Sequence, residues 1–426
     1  MNPFSHFRAL SLLALLLALP ITSRGETWPQ FRGPTGQGLS TETNLPIHWS
    51  ATENLAWKTP IPGDSWSSPI VWNDRVFVTT ATDNGVSCHV LCLDRAQGKI
   101  LWDKEVLRQA TTGRKEDRNT YATPTPATDG TLIYSAFFDG TFVALDFSGS
   151  VVWTNRDYPF YSQHGLATSP ILWQDLLIMA RDASSPGENK KLGWQEPWNQ
   201  SFVVALDKRT GKQRWKTFRG QSRIGHVVPL IHTDESGQTV VLSGAGDVVQ
   251  AFAPNSGERL WSSFNKGEGV VPSLAAGQGL VFTASGYSGR ESIKAFRLGG
   301  HGDLQETNLA WEQRKGMPHV PSLLYVKPHL FAVNDAGLSQ CLKADTGEIL
   351  WQERLGGNFS ASPVYADGKV YFLSDAGETT VVEAAPQFKV LAKNPLNEKC
   401  QSSMAVSQQR LFIRSAKHLF CIAQSR

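Results

Sequence analysis

A chain of 426 residues, 41% hydrophobic and 19% charged, is too apolar to stay disordered and long enough for several ordinary domains or one large all-β unit. Its formal net charge of +3 comes without a basic cluster, which excludes the concentrated positive face that nucleic-acid binding needs. Five cysteines without regular spacing exclude a disulfide framework.

Residues 1–25 read as a signal peptide. Arg8 supplies the positive charge, Ala9–Leu19 the apolar run, and Ser23 and Gly25 the small residues for cleavage before Glu26. The run is shorter than the ~20 residues that span a bilayer, and no cysteine stands near the cleavage point to take a lipid. An exported protein, periplasmic or secreted and not membrane-spanning, is expected. Residues 26–54 are rich in Gly and Pro and carry Trp28, Phe31 and Trp49; they are expected to form an extended strap docked on the remainder of the chain.

From residue 55 one unit repeats. Ser68–Trp102, Ser169–Trp215 and Ser362–Leu391 each run strand, tight turn, strand, Gly-rich turn, strand, then a Thr-Gly-Lys-like turn into a last strand that usually ends in Trp. That Trp recurs at Trp57, Trp102, Trp153, Trp215, Trp261, Trp311 and Trp351, with Leu391 in its place in the next copy. First strands begin near Ser68, Thr123, Ser169, Val228, Val271, Val320, Ser362 and Ser403, which makes eight copies. The last has only three strands before the chain ends, and Leu55–Thr59 with Trp57 is available as its fourth. The fold class is all-β: residues 55–426 form an eight-bladed β-propeller of four-stranded antiparallel blades closed by an N-terminal strand, leaving no split sheet edge.

Most repeated residues have blade-building reasons. Cys92, Ala144, Ala205, Ala251, Ala295, Cys341 and Cys421 share one position, where a small side chain leaves room for the bulky Trp; the three cysteines there are buried small apolar residues. Cys88 and Cys92 lie about 13 Å apart along one strand face, too far to bridge. Cys400 stands in a connection between blades, and no disulfide is expected. Asp94, Asp146 and Asp207 recur as turn residues that accept local backbone hydrogen bonds.

The loops entering the innermost strands surround the channel mouth, a concave place that suits ligands. Just before the first strands stand Trp66, Tyr121, Ala167, His226, Gly269, Pro318, Ser360 and Gln401; slightly earlier come Arg118, His164, Arg223, Lys266, Lys315 and Lys399. Together they suggest a funnel rimmed by aromatic, imidazole and basic groups for an anionic or sugar-like ligand. The competing reading makes the charges ordinary solvated loop residues, with Trp66 or Tyr121 packing a loop. The insertion Ala183–Gln200 offers Trp194 and Trp198 either as anchors for a partner or as aromatics that fold back on the ring.

The pattern Ala205–Leu-Asp…Thr-Gly-Lys…Trp215 resembles the repeat of pyrroloquinoline-quinone (PQQ)-type eight-bladed propellers, a group that includes quinoprotein alcohol dehydrogenases and BamB-type outer-membrane assembly lipoproteins. More specifically, Trp28–Gly38, Glu53–Gly63, Ala205–Lys212, Gly279–Gly286 and Leu355–Gly377 look like the exported PQQ-like repeat proteins of planctomycetes, over essentially the whole mature chain. The resemblance implies the propeller and, through its dehydrogenase members, PQQ with Ca²⁺ held beside two adjacent cysteines. No two cysteines are adjacent here, and no haem-attachment, His-Glu-x-x-His, nucleophile-elbow or P-loop motif occurs. No catalytic residue, metal or cofactor is therefore assigned. The expected function is a monomeric, non-catalytic scaffold for an envelope or extracellular protein; the alternative is a quinoprotein-like oxidoreductase or a small-ligand protein using the funnel.

Overall fold

The computed structural model describes residues 25–424 apart from 265, 266, 268, 269, 285–290 and 306. The expected signal segment up to residue 24, Lys266 and Gly269 lie outside the described residues. The rest forms eight sheets, among whose residues no α-helix occurs; one 3₁₀ turn, Asp83–Gly85, interrupts the strands. Blade one comprises Ile70–Trp72, Arg75–Thr82, Ser87–Asp94 and Ile100–Arg108. Blades two to seven occupy 127–155, 171–218, 230–264, 275–313, 324–354 and 364–395.

Blade eight takes Ala405–Ser407, Arg410–Arg414 and His418–Ala423 from the C-terminal end and Leu55–Pro60 as its outer strand. Trp57 lies opposite Cys421, and Ala423 donates its N–H to Asn54 O at 2.9 Å. The ring is closed by the strand expected from sequence. Blade four departs from four strands: Gly302–Gln305, from a loop of blade five, adds a fifth strand parallel to Arg259–Phe264.

The Trp of each outer strand explains the rest of the repeat. It faces the small residue across the ladder, as in Cys92–Trp102, Ala205–Trp215 and Cys341–Trp351, beside a β-bulge. Its indole N–H reaches into the next blade: Trp57 to Arg95 O, Trp102 to Phe147 O, Trp153 to Lys208 O, Trp215 to Pro254 O, Trp311 to Ala344 O and Trp351 to Ala385 O, at 2.8–3.0 Å. The turn glycine of that next blade lies on the ring face. At Gly98, Gly211, Gly257 and Gly347, all at positive φ, a Cβ would collide with Trp57, Trp153, Trp215 and Trp311. The glycine is thus fixed twice, by backbone conformation and by the indole above it. In the same turns Asp94, Asp146 and Asp207 accept backbone N–H groups at 2.7–3.1 Å. All five cysteines are free and buried.

Blade seven breaks the rule, and the register corrects the sequence reading. Ala392, not Leu391, stands at the Trp position, opposite Val381. In five other blades the Trp packs on an aromatic ring of the second strand, as Trp102 does on Phe77 and Trp351 on Phe331, with centroids 6.0–6.2 Å apart. In blade seven the partner is Tyr371, and Trp49 stacks on it at 6.4 Å. The strap delivers the missing indole.

The strap crosses one end of the channel and touches most blades. Trp28 exchanges backbone bonds with Val71, Pro29 O accepts from Thr128, and Gln30 Oε1 accepts from Leu172 N–H. Arg32 donates to Leu274 O and Leu323 O, and Gln37 Oε1 accepts from Ala276 N–H. Gly38 and Ser40 pair with Tyr365, and Glu42 takes the N–H groups of Gln408 and Gln409. These contacts lie where the innermost strands run out, so the strap caps that end.

Candidate functional site

The opposite end of the channel is open. From it a cavity of about 700 Å³ descends along the axis to Phe31 of the strap. Three levels line it. At the mouth stand Glu116, Asp117, Arg118, Asn119, His164, Trp194 and Ile224. Below them each blade presents the residue two positions before its ring residue: Trp66, Thr123, Ala167, His226, Val271, Val320, Ser360 and Gln401. Deepest is a ring of one residue per blade, Ser68, Thr125, Ser169, Val228, Ser273, Ser322, Ser362 and Ser403, all but Val228 with a hydroxyl.

The ring is a circumferential hydrogen-bond belt that strand periodicity did not disclose. The backbone N–H of six of the eight positions donates to the hydroxyl of the next blade: Ser68 to Thr125, Thr125 to Ser169, Val228 to Ser273, Ser273 to Ser322, Ser322 to Ser362 and Ser362 to Ser403, at 2.9–3.1 Å. The recurring Ser-Pro start of the copies was its only trace in the sequence. The belt also corrects the register of three blades. Thr123, Val271 and Val320 lie two residues before the true ring members, Thr125, Ser273 and Ser322.

That shift decides which expected residues meet. Trp66, Arg118, His164 and His226 line the cavity. Tyr121 does not: its ring packs edge-on against Phe138 at 5.0 Å, and its hydroxyl donates to Gly113 O, so it braces a loop. Arg223 is also off the lining and pairs with Asp247, 3.6 Å away. Lys399 is exposed above the rim, its ammonium 5.2 Å from the Trp66 ring centroid. Lys315 and Pro318 are likewise outside the lining.

The insertion 183–200 folds back over the mouth. Ile224 N–H donates to Gly193 O at 2.6 Å, Trp198 and Ser222 exchange backbone bonds, and Trp194 becomes part of the lining, edge-on to His164 at 5.6 Å. Both are half-buried, Trp194 within the lining and Trp198 outside it. At the root of the insertion Asp182 is joined to Arg219 at 2.5 Å, with both side chains fully buried, and Arg219 also donates to Ser243 Oγ and Gly244 O.

The mouth is not a basic field. Arg118 is neutralised by Asp335 at 2.9 Å. His164 sits 3.5 Å from Glu116, yet burial holds its pKa below the usual imidazole value. His226, whose ring lies 6.2 Å from that of His164, is pushed down to about 3 by burial and then by His164. Its ring is half-buried and lines the cavity. Both imidazoles are neutral at pH 7, so the upper funnel is aromatic and polar without net positive charge.

The lining does not fit a quinone held over paired cysteines. The five thiols are buried away from the cavity, four in blade strands and Cys400 in a connection, and burial raises them to about 11 to 12. Among the described residues no three His, Cys, Asp or Glu side chains converge as metal ligands.

A family model described as outer membrane protein assembly factor BamB matches residues 39–156, 85–244, 303–386 and 340–423. No curated protein matches the chain. Among solved structures, BamB from Moraxella catarrhalis is 14% identical with a TM-score of 0.58, over 86% of this chain and 99% of that one. A europium-containing methanol dehydrogenase is 11% identical with a TM-score of 0.65, over 92% and 90%. Quinohemoprotein alcohol dehydrogenase from Comamonas testosteroni is 12% identical with a TM-score of 0.60, over 94% and 81%. At these identities the structural likeness speaks for the fold alone.

Proposed function

The chain belongs to the family of outer membrane protein assembly factor BamB, and from that premise we propose that it is an exported, non-catalytic propeller that holds protein partners in the cell envelope. The observation that carries this reading is the mouth insertion, fixed to a closed and rigid ring. Its base is tied by the Asp182–Arg219 pair and by the backbone bonds of Gly193 and Trp198, while residues 186–191 stay exposed and carry Glu188, Lys190 and Lys191. A rigid frame with one elaborated loop suits recognition, because the loop can vary without disturbing the core. Residues 1–25 supply the route out of the cytoplasm.

The test is cross-linking in the intact envelope followed by purification of the full chain. Replacing residues 186–191 with a short Gly-Ser link should abolish capture of one discrete envelope protein while leaving the melting temperature unchanged. Unaltered capture would overturn the role of the loop, and recovery of the protein from the cytoplasm would overturn export. A second reading has its own observation. The blind funnel has the volume and mixed aromatic and hydroxyl lining of a small-molecule site.

A further inference from the structure

The deepest level of the funnel narrows the class of small molecule it would take, an inference that rests on the funnel being a ligand site. Six of the seven hydroxyls in the belt, all but that of Ser68, accept a backbone N–H from the preceding blade. A hydroxyl that accepts in this way still has a proton to give, and accepting strengthens it as a donor. Among the described residues no acceptor stands against any of these six protons. The belt therefore offers convergent O–H donors around the axis, all used in the same sense.

A second observation lies just below. Arg32 is 1% exposed and lies behind the cavity lining, next in sequence to Phe31 at the strap end of the funnel. It donates to Leu274 O and Leu323 O, one residue past Ser273 and Ser322, and to Gln37 O. Its Nε, beside Gly38, has no partner. All its acceptors are neutral carbonyls, and among the described residues no carboxylate pairs with it. A buried cation without a counter-charge is costly, and its field is weakly screened along the closed end of the funnel.

We propose that the closed end of the funnel is an oxyanion site that takes the carboxylate of a small organic acid. The belt hydroxyls donate to the carboxylate oxygens and Arg32 supplies the compensating charge from beneath. The neutral body of the acid lies higher, against Trp66, Trp194 and the uncharged His226. Glu116 and Asp117 at the mouth oppose a second negative charge there, so monoanions are favoured over polyanions.

Val228 provides a test that adds rather than removes. It is the one belt position without a hydroxyl, and the N–H of Ser169, which would donate to it, has no acceptor among the described residues. Val228→Thr is nearly isosteric; its hydroxyl would take that N–H and bring a further proton to the belt. Binding of benzoate and of its neutral isostere benzamide would be followed by calorimetry and by Trp fluorescence on the full folded protein. The expected results are benzoate binding at least fivefold tighter than benzamide, and a further two- to tenfold gain in Val228→Thr. Ser273→Ala, checked for folding by circular dichroism, should weaken benzoate alone. Equal binding of the two probes would keep the funnel as a ligand site and overturn the oxyanion assignment. No heat and no fluorescence change with either probe would overturn both.

Discussion

Trp49 carries a contact that the repeat assigns to another residue, and its removal should be felt in blade seven, far from it in sequence. The side chain is 2% exposed, stacks on Tyr371 and belongs to the core shared by the strap with blades one, seven and eight. Truncating a buried Trp to Ala costs about 3–5 kcal/mol. Its indole N–H has no partner, whereas that of Trp311 donates to Ala344 O at 2.9 Å. Trp49→Phe thus loses some apolar area, about 1 kcal/mol, and removes an unpaired donor, so its net cost should be near zero. Trp311→Phe loses a similar area and also strands a buried carbonyl, a further penalty of about 1–3 kcal/mol. Guanidinium unfolding of the four variants, Ala and Phe at each site, would separate these contributions, with limited proteolysis reporting whether the strap lifts. An unchanged midpoint in Trp49→Ala, or equal costs for the two Phe variants, would refute the substitution of Trp49 for the blade-seven Trp.

Deleting residues 55–60 should lower the melting temperature sharply and expose the Arg410–Ala423 hairpin to protease; an unaltered melt would mean that the ring does not close through that strand. Asp182→Ala leaves the Arg219 guanidinium buried and unpaired, so a loss of about 3–5 kcal/mol is expected by denaturant titration. The buried thiols, held at about 11 to 12, should resist iodoacetamide at pH 8 until the protein unfolds; rapid labelling of Cys400 or Cys421 in the native state would contradict their burial. His226 has a folded pKa of about 3, below its unfolded value, so the unfolded state binds the extra proton. Its contribution to stability is complete above about pH 6.5 and is lost as pH falls from there toward 3. In His226→Gln the fall in melting temperature between pH 6.5 and 4 should be shallower than in the wild type, and parallel curves would count against the shift.

The blade count and the closing strand were legible because they rest on signals that repeat: alternation along strands, a small residue opposite a Trp, and a glycine under it. The funnel was legible only in part. Thr123-Pro124, Val271-Pro272 and Val320-Pro321 imitate the Ser-Pro start two residues before the real belt position. A reading that followed proline therefore placed Tyr121 at the mouth, although it packs on Phe138. The true marker is a hydroxyl that accepts an N–H from the neighbouring blade, a tertiary interaction with no periodicity of its own. The same limit hid Ala392, because its missing indole comes from residue 49, and the parallel strand Gly302–Gln305, which one blade lends to another. Trp194 was visible as an aromatic in a loop, but the backbone bond from Ile224 to Gly193 that turns it inward was not.

The pairing of Leu55–Pro60 with His418–Ile422 also sets a timetable. Those strands lie at opposite ends of the propeller sequence, so the earliest-made strand waits, with its ladder groups unpaired, until nearly the whole chain is present. Blades one to seven are built from local hairpins and can form as their residues arrive, whereas the last step is a contact of very high sequence separation, the kind that makes assembly slow. Until that step, the free edge of Leu55–Pro60 and the open hairpin of blade eight are two sticky surfaces made for each other and equally able to join a neighbouring chain. The closure that completes the finished ring thus leaves its unfinished form with two edges open to pairing between chains.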